Sequence, residues 1–371
     1  MISTDKSILK ESSQARKRMI DYGGLAEELH IVVFSRRKSQ ISGLSSQISF
    51  NVFLYSTDSH NRWLYIFDAY RISKKIFKSK FLITCQDPFE TGFCGWLMAK
   101  RFKMPFQLQI HADFLGHYFW RESFLNKIGV LLAKFLIKRA DCLRVVSERI
   151  KKSLMANGYS PNPIVVLPIF VDVKKIQAMP IKKNLRQKYP QFDFIILIVS
   201  RLSKEKNIHL AIKAVAEVVK KYPKTGLVIA GDGPELKNLK TITQNLNLDK
   251  QIIFEGWVGF EELISYYKTA DLFLLTSNYE GYGMAVIEAM AAGLPVVMTD
   301  VGLAGEVLIN GKEGLIAPVG DVQKLTRAIL SLMENKELRG LLIANALEKV
   351  RQLPVKEEYL NNYKNLLERC L

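Results

Sequence analysis

At 371 residues the chain exceeds the size, about 250–300 residues, at which one hydrophobic core stops growing, so two domains are expected. Lys and Arg outnumber Asp and Glu by 53 to 36, and the net charge of +17 predicts attraction to polyanions such as nucleic acid, anionic lipid or diphosphates without choosing among them. The four cysteines, Cys85, Cys94, Cys142 and Cys370, form no CxxC pair and lack a histidine at metal-ligand spacing, which argues against a zinc site or a disulfide framework and for free thiols in a reducing cytosol.

Residues 1–10 turn polar at once, with no apolar core of signal-peptide length, so secretion is not expected. Apolar, β-branched runs then alternate with helical patterns, which predicts an α/β fold of parallel sheets covered by helices. The first half reads as strands at 30–35, 50–55, 81–84, 106–111, 143–147 and 164–168, with helices at 62–77, 90–101 and 124–139. The run 128–137 contains Lys134 and falls far short of the roughly 20 residues that span a bilayer. The whole of 119–139 combines Trp120 and Phe124 with Arg121, Lys127, Lys134, Lys138 and Arg139. It reads either as a helix covering a sheet or as one whose basic rim meets an anionic membrane.

Residues 172–193 are polar and basic, with two prolines, and mark a domain boundary, giving domains 1–172 and 173–355 with the final helix 356–371 packing back on the first. Beyond it lie strands at 194–200, 226–231, 251–255, 272–276 and 295–299, with helices at 208–222, 235–246, 261–270 and 284–292. In open sheets of this kind ligands bind beyond the carboxyl ends of the strands, so the motifs there carry the functional reading.

Four such motifs follow strands in the second half. In 200–207 (SRLSKEKN) Arg201 and Lys206 suit a diphosphate, one a fork and the other a mobile point charge; the alternative is a solvated basic loop. In 230–235 (AGDGPE) Gly231 and Gly233 make a tight turn, with Asp232 placed to cap the next helix and Pro234 at its first position. In 254–258 (FEGWV) Trp257 and Val258 either touch a base or pack in the core. The strongest signal is 278–292 (NYEGYGMAVIEAMAA): Glu280 lies in a strand-to-helix loop and Glu288 one to two turns into the helix. Gly281 and Gly283 flank Tyr282, and the helix opening at Met284 offers N–H groups to an anion. Ionised carboxylates accept strongly from the hydroxyls of a sugar and a ribose, although a glycine turn into an Ala-rich packing helix with two solvated glutamates fits the spacing too.

Together these motifs resemble the family 4 retaining glycosyltransferases, whose fold is called GT-B: two Rossmann-like domains with parallel sheets facing a central cleft. The family's E-x7-E matches Glu280 and Glu288, which implies contact of the first with the donor sugar and of the second with the ribose. Its G-R-x-x-x-x-K-G resembles Ser200, Arg201, Lys206 and Asn207 with both glycines replaced, and its G-D-G-P is present at 231–234. The likeness continues through Asp321, with Gly302 and Glu306 near the cleft. His111, in LQIHAD at 108–113, matches the place of a histidine beside the donor sugar, with His117 as a competitor. The family's glycine-rich acceptor loop is replaced by KSILKESSQARKRM at 6–19, where Ser12, Ser13 and Arg16 are the candidates for acceptor contacts. Ile169-Phe170-Val171-Asp172 stands where relatives have N-G-V-D.

The resemblance implies a metal-independent hexosyltransferase that retains anomeric configuration and has no cofactor, with Glu280, His111, Arg201 and Lys206 as the catalytic set. Its co-substrate would be a UDP- or GDP-sugar and its acceptor a glycan or lipid-linked sugar of polysaccharide or glycolipid synthesis. The location expected is cytoplasmic, peripheral on the inner face of the membrane. A nucleotide-sugar epimerase on the same plan is the enzyme alternative. A basic nucleic-acid-binding or membrane-binding protein is the non-enzymatic one, although no nucleic-acid module is found. No G-x-G-x-x-G joins a strand to a helix, which disfavours a dehydrogenase.

Overall fold

The computed structural model describes residues 1–37, 46–76, 81–161 and 164–371. The chain divides into two units, Met1–Pro168 with Val355–Leu371, and Ile169–Pro354. Both are α/β, as the alternation of patterns predicts.

Among the described residues eight strands form the first sheet: β1 (Ile2–Ser3), β2 (Leu29–Val33), β3 (Ser46–Ser49), β4 (Val52–Ser56), β5 (Ile83–Cys85), β6 (Phe106–Ile110), β7 (Cys142–Val145) and β8 (Ile164–Val166). Their order is β3-β4-β2-β1-β5-β6-β7-β8, every neighbouring pair being parallel except β3 with β4. The sequence of β6, FQLQI, explains how both faces are covered. Successive side chains of a strand point to opposite faces. Phe106 and Leu108 lie where a Cβ on Gly95 or Gly92 of helix Glu90–Phe102 would press on them. Gln107 and Gln109 face the other way, and both are buried beneath the returning C-terminal helix Lys356–Glu368. Gln107 donates to Cys370 Sγ at 3.3 Å and Gln109 to Tyr363 OH at 3.0 Å.

That returning helix overturns the expectation of four free thiols. Cys142 on β7 and Cys370 form a disulfide with Cα atoms 5.5 Å apart, while Cys85 and Cys94 are free and buried. The pair is separated by 228 residues, so spacing along the chain carried no sign of it.

The helix expected over 119–139 is two helices, His117–Glu122 and Phe124–Ile137. Ser123 divides them: its backbone is extended and its hydroxyl accepts from Asn126 N, ending one helix and capping the next. The helix expected at 62–77 begins as a 3-10 turn at Arg62–Leu64 and continues as Tyr65–Ile76; Phe77 lies outside the described residues.

The second sheet contains β9 (Phe194–Val199), β10 (Thr225–Ala230), β11 (Ile252–Gly256), β12 (Leu272–Leu275), β13 (Val296–Thr299) and β14 (Leu315–Ala317). All pairs are parallel, in the order β11-β10-β9-β12-β13-β14. Continuous apolar runs such as FIILIV and LFLL are what a strand buried on both faces requires. Helix Ile208–Lys221 covers one face with Leu210, Ala211, Ala214, Val215 and Val218. Each fully buried Leu or Val of that stripe contributes roughly 1.5–3 kcal/mol of gross burial.

The boundary segment, read as a polar linker, carries two short helices, Val173–Ala178 and Leu185–Lys188, the first capped by Asp172. Asp232 does not cap the helix after it. That helix begins at Leu236, beyond Glu235, and Asp232 instead accepts from Gly233 N at 2.7 Å.

Candidate functional site

The strand order of the second sheet brings loops distant in sequence to one edge. Beyond β9, residues 200–207 carry Arg201 and Lys206; beyond β10 comes the glycine turn; beyond β11, Trp257; beyond β12, the loop with Glu280. Gly231 has φ +148°, and a Cβ there would lie 1.8 Å from Ser200 O, so only glycine lets these two backbones meet. Gly231 N donates to Gly256 O at 2.7 Å, and Leu202 N to Asp232 O at 3.0 Å, which fastens three loops together.

Asn207 takes up what the missing family glycine would do. Its φ of 47° and ψ of 42° are left-handed, a conformation Asn tolerates better than most residues. Its Nδ2 donates to Asn278 Oδ1 at 2.8 Å, tying the β9 loop to the β12 loop, and Asn278 N donates to Glu205 O at 2.8 Å.

Lys206 and Glu280 meet in that junction. Lys206 Nζ donates to Glu280 Oε1 at 2.7 Å, and Ser277 Oγ donates to the same oxygen at 2.7 Å. Both charged side chains are largely buried, 20% and 14% exposed, so Lys206 is not part of a solvated basic loop. Arg201 is different: its side chain is 71% exposed, with Glu205 as its acidic neighbour at 3.5 Å.

Glu288 stands on helix Met284–Ala291, which Gly283 opens at φ +108° with no side chain capping it. The fully buried Tyr267 donates its hydroxyl to Glu288 Oε2 at 3.0 Å. Burial pushes the Glu288 carboxyl up to about 7, against the opposing effect of the Tyr267 hydrogen bond. Gly302 (φ +55°) lets the next loop close on this one, since a Cβ would stand 2.3 Å from Tyr282 O and 3.0 Å from Glu280 Cβ. Gly281 and Tyr282 are buried, Met284 is half-buried, and Trp257, beside half-buried Val258, is 80% exposed rather than packed in the core.

In the first unit His111 follows β6 and is half-buried, with Nε2 3.1 Å from Gln109 Oε1. Burial, then the Arg144 guanidinium, then Arg18 hold it down to about 3. Ser13 and Arg16 have local work: Ser13 Oγ accepts from Arg16 N at 3.0 Å to cap helix Gln14–Gly23, and the Arg16 side chain reaches Leu9 O at 3.5 Å. Ser12 is exposed. Helix Phe124–Ile137 buries Val130, Ala133, Leu136 and Ile137 yet leaves Phe124, Leu125, Ile128 and Leu131 exposed.

Ser277, Tyr267, Asn278, Gln109 and Arg144 were missed by sequence reasoning. A tyrosine inside an expected helix or a glutamine inside an expected strand gives no spacing signal for a partner far along the chain. Among the described residues no group of three or more His, Cys, Asp or Glu is arranged to hold a metal. Nor is any described helix long and apolar enough to cross a membrane.

The fold is that of the GT-B glycosyltransferases: over 99% of this chain and 98% of the other it superimposes on Anabaena Alr3699/HepE, a structure in complex with UDP, with a TM-score of 0.78 at 19% identity. The model for group 1 glycosyl transferases matches residues 181–349 and that for Glycosyltransferase Family 4 residues 24–175, and the chain belongs to this family of glycosyltransferases. It is 27% identical, over 83% of its length and 79% of the other's, to an uncharacterized glycosyltransferase of Methanocaldococcus jannaschii. It is also 32% identical to the alpha-monoglucosyldiacylglycerol synthase of Streptococcus pneumoniae, over 58% of this chain and 51% of that one.

Proposed function

We propose that this glycosyltransferase moves a hexose, with retention of configuration and without a metal, from a UDP- or GDP-sugar to a lipid-linked or glycan acceptor in glycolipid or cell-surface polysaccharide synthesis. The observation that carries this reading is the Lys206–Glu280 contact at 2.7 Å in the loop that leads into the glycine-opened helix Met284–Ala291. Lys206, Arg201 and the first turn after Gly283 meet the charge that develops on the leaving diphosphate, in the place a divalent ion takes elsewhere. Both donors to Glu280 use Oε1, and Oε2 accepts from the hydroxyls of the donor sugar. Glu288 accepts from the ribose diol and Trp257 offers its face to the base.

Two further observations support the choice of acceptor. The pneumococcal relative is named as a synthase of a glucosyl lipid. Helix Phe124–Ile137 exposes Phe124 (74%), Leu125 (70%) and Leu131 (62%), and Lys127 and Arg139 lie over the rings of Trp120 and Phe135. A helix apolar on both sides with cations along it suits the interface of an anionic bilayer, so the protein docks there peripherally.

A thermal-shift panel of UDP-, GDP- and ADP-sugars tests the donor. A ligand at a hundredfold excess over Kd stabilises the native state by about 2.7 kcal/mol, so one hit that Glu288→Ala abolishes is expected. No shift with any nucleotide sugar would sink the reading. Flotation with anionic liposomes at low salt tests the membrane part, and absence of binding removes it.

A further inference from the structure

Beneath His111 lies a buried cation that the reaction as proposed does not use. Arg144 on β7 is 2% exposed, and its partners among the described residues include no carboxylate. Nε donates to Leu167 O at 3.2 Å, Nη2 to Pro168 O at 3.1 Å and to Tyr359 OH at 2.9 Å, and Nη1 to Gln109 Oε1 at 3.1 Å. The ring of Tyr363 covers the guanidinium, with its centroid 4.7 Å from Cζ. The chain leaves the first unit at Pro168 and re-enters it at Val355, and Arg144 bonds the last residue before the exit and Tyr359 of the returning segment.

Hydrogen-bond polarity then runs in one direction. A guanidinium only donates, so the Gln109 side chain must turn its oxygen to Arg144. The other end of the amide agrees: Thr84 Oγ1 gives its single proton to Gln107 Oε1 at 2.6 Å, and therefore accepts from Gln109 Nε2 at 2.8 Å. With the amide fixed from both sides, Gln109 Oε1 is an acceptor where it meets His111 Nε2 at 3.1 Å.

We infer that Arg144 acts through Gln109 as a positioning residue, holding the proton of His111 on Nε2 and leaving Nδ1 as an acceptor for a substrate hydroxyl. His111 in this form is a neutral acceptor and brings no positive charge to the substrate hydroxyl it meets. The inference rests on the proposed glycosyltransferase reading, in which a substrate hydroxyl reaches His111.

The test is a long-range 1H–15N spectrum of the full chain labelled with 15N-histidine, His111 being assigned by its loss in His111→Gln. The expected wild-type pattern is the Nε2-protonated tautomer at neutral pH. In Gln109→Met, which removes the acceptor, mixed tautomers are expected, with kcat falling about tenfold and donor KM changing less than about twofold. Gln109→Glu keeps an oxygen between Arg144 and His111, and should retain the Nε2 proton and most of kcat. A wild-type Nδ1-protonated tautomer or imidazolium overturns the inference, and so does a Gln109→Met variant with wild-type tautomer or unchanged kcat. Failure of the donor-site reading shows itself separately, as the absence of any nucleotide-sugar shift, so the two failures are distinguishable.

Discussion

Lys206 in the second unit and Arg144 in the first are both cations near the carboxyl ends of parallel strands, yet they are held in opposite ways. Lys206 is a flexible point charge in a loop, 2.7 Å from a carboxylate and 20% exposed. Arg144 is a fork within a strand, satisfied by two backbone carbonyls, an amide oxygen, a phenol and a ring face. The first arrangement can exchange its partner for a ligand, because separating a largely buried ion pair is compensated when a diphosphate takes the lysine and a hydroxyl takes the glutamate. The second cannot, because moving the guanidinium would strand five groups in a dry interior. A cation at a strand end therefore indicates a ligand only when its neighbours are replaceable.

The sharpest break of this comparison is at Lys206. If Lys206 neutralises the leaving group, Lys206→Ala should lower kcat by roughly 10²–10³-fold, the size of loss seen when one preorganised charge-stabilising donor is removed. Tm should fall as well, since removing one partner of a largely buried pair leaves the Glu280 carboxylate with Ser277 as its remaining donor. Initial rates beside a melting curve decide it: a large fall in Tm with kcat preserved would make the pair structural.

Next in size is the loop junction. Gly231→Ala places a Cβ against Ser200 O in a backbone conformation L residues avoid, and a loss of roughly 2–4 kcal/mol in urea unfolding is expected. A loss below that range would mean the two loops move apart freely and do not act as one fixed cradle.

Glu288 sharpens the comparison through pH. Burial raises its carboxyl to about 7 from an ordinary value of 4.5, so the folded protein holds a proton there that the unfolded chain has released between those two values. Stability from this group is complete below pH 4.5 and declines as pH rises through 7. Donor binding has the opposite sign, since a ribose diol needs the ionised acceptor. The affinity of a nucleotide sugar, whose diphosphate has no titration near neutrality, should rise from pH 6 to pH 8 by several-fold. Glu288→Gln should flatten that profile in calorimetric titrations, and a profile unchanged by the substitution would remove Glu288 from the ribose.

The sequence carried the α/β alternation and the strand ends bearing Arg201, Lys206, Glu280 and Glu288, because those depend on local periodicity and on loop residues next to apolar runs. It did not carry Asn207 as the left-handed substitute for a glycine, since composition does not state φ. The strand at 106–111 is legible, but its alternation does not say that Gln107 and Gln109 are buried partners of the segment that returns with helix 356–368. The Cys142–Cys370 bridge and the contacts of Arg144 with Tyr359 and Tyr363 were hidden for the same reason: both reach the C-terminal segment, 200 residues and more away along the chain. Ser123 splits the helix expected over 119–139, because its hydroxyl caps the second helix while the apolar stripe continues on both sides of it.

The smallest predicted effect separates two readings of the N-terminal loop. Ser13 Oγ accepts from Arg16 N at 3.0 Å at the start of helix Gln14–Gly23, so its removal costs the helix a cap, typically about 1 kcal/mol. Ser13→Ala should therefore lower Tm by a few degrees, while Ser13→Asp, which caps equally well, restores it. An acceptor contact gives a different signature. Asp in place of Ser would repel a phosphate-bearing acceptor and raise its KM even as Tm recovers, whereas a residue that only caps leaves KM at its wild-type value in both variants. Recovery of Tm in Ser13→Asp, with KM at its wild-type value in both variants, assigns Ser13 to the helix. Recovery of Tm alone assigns it to the acceptor and makes this loop the functional counterpart, without glycines, of the family's acceptor loop.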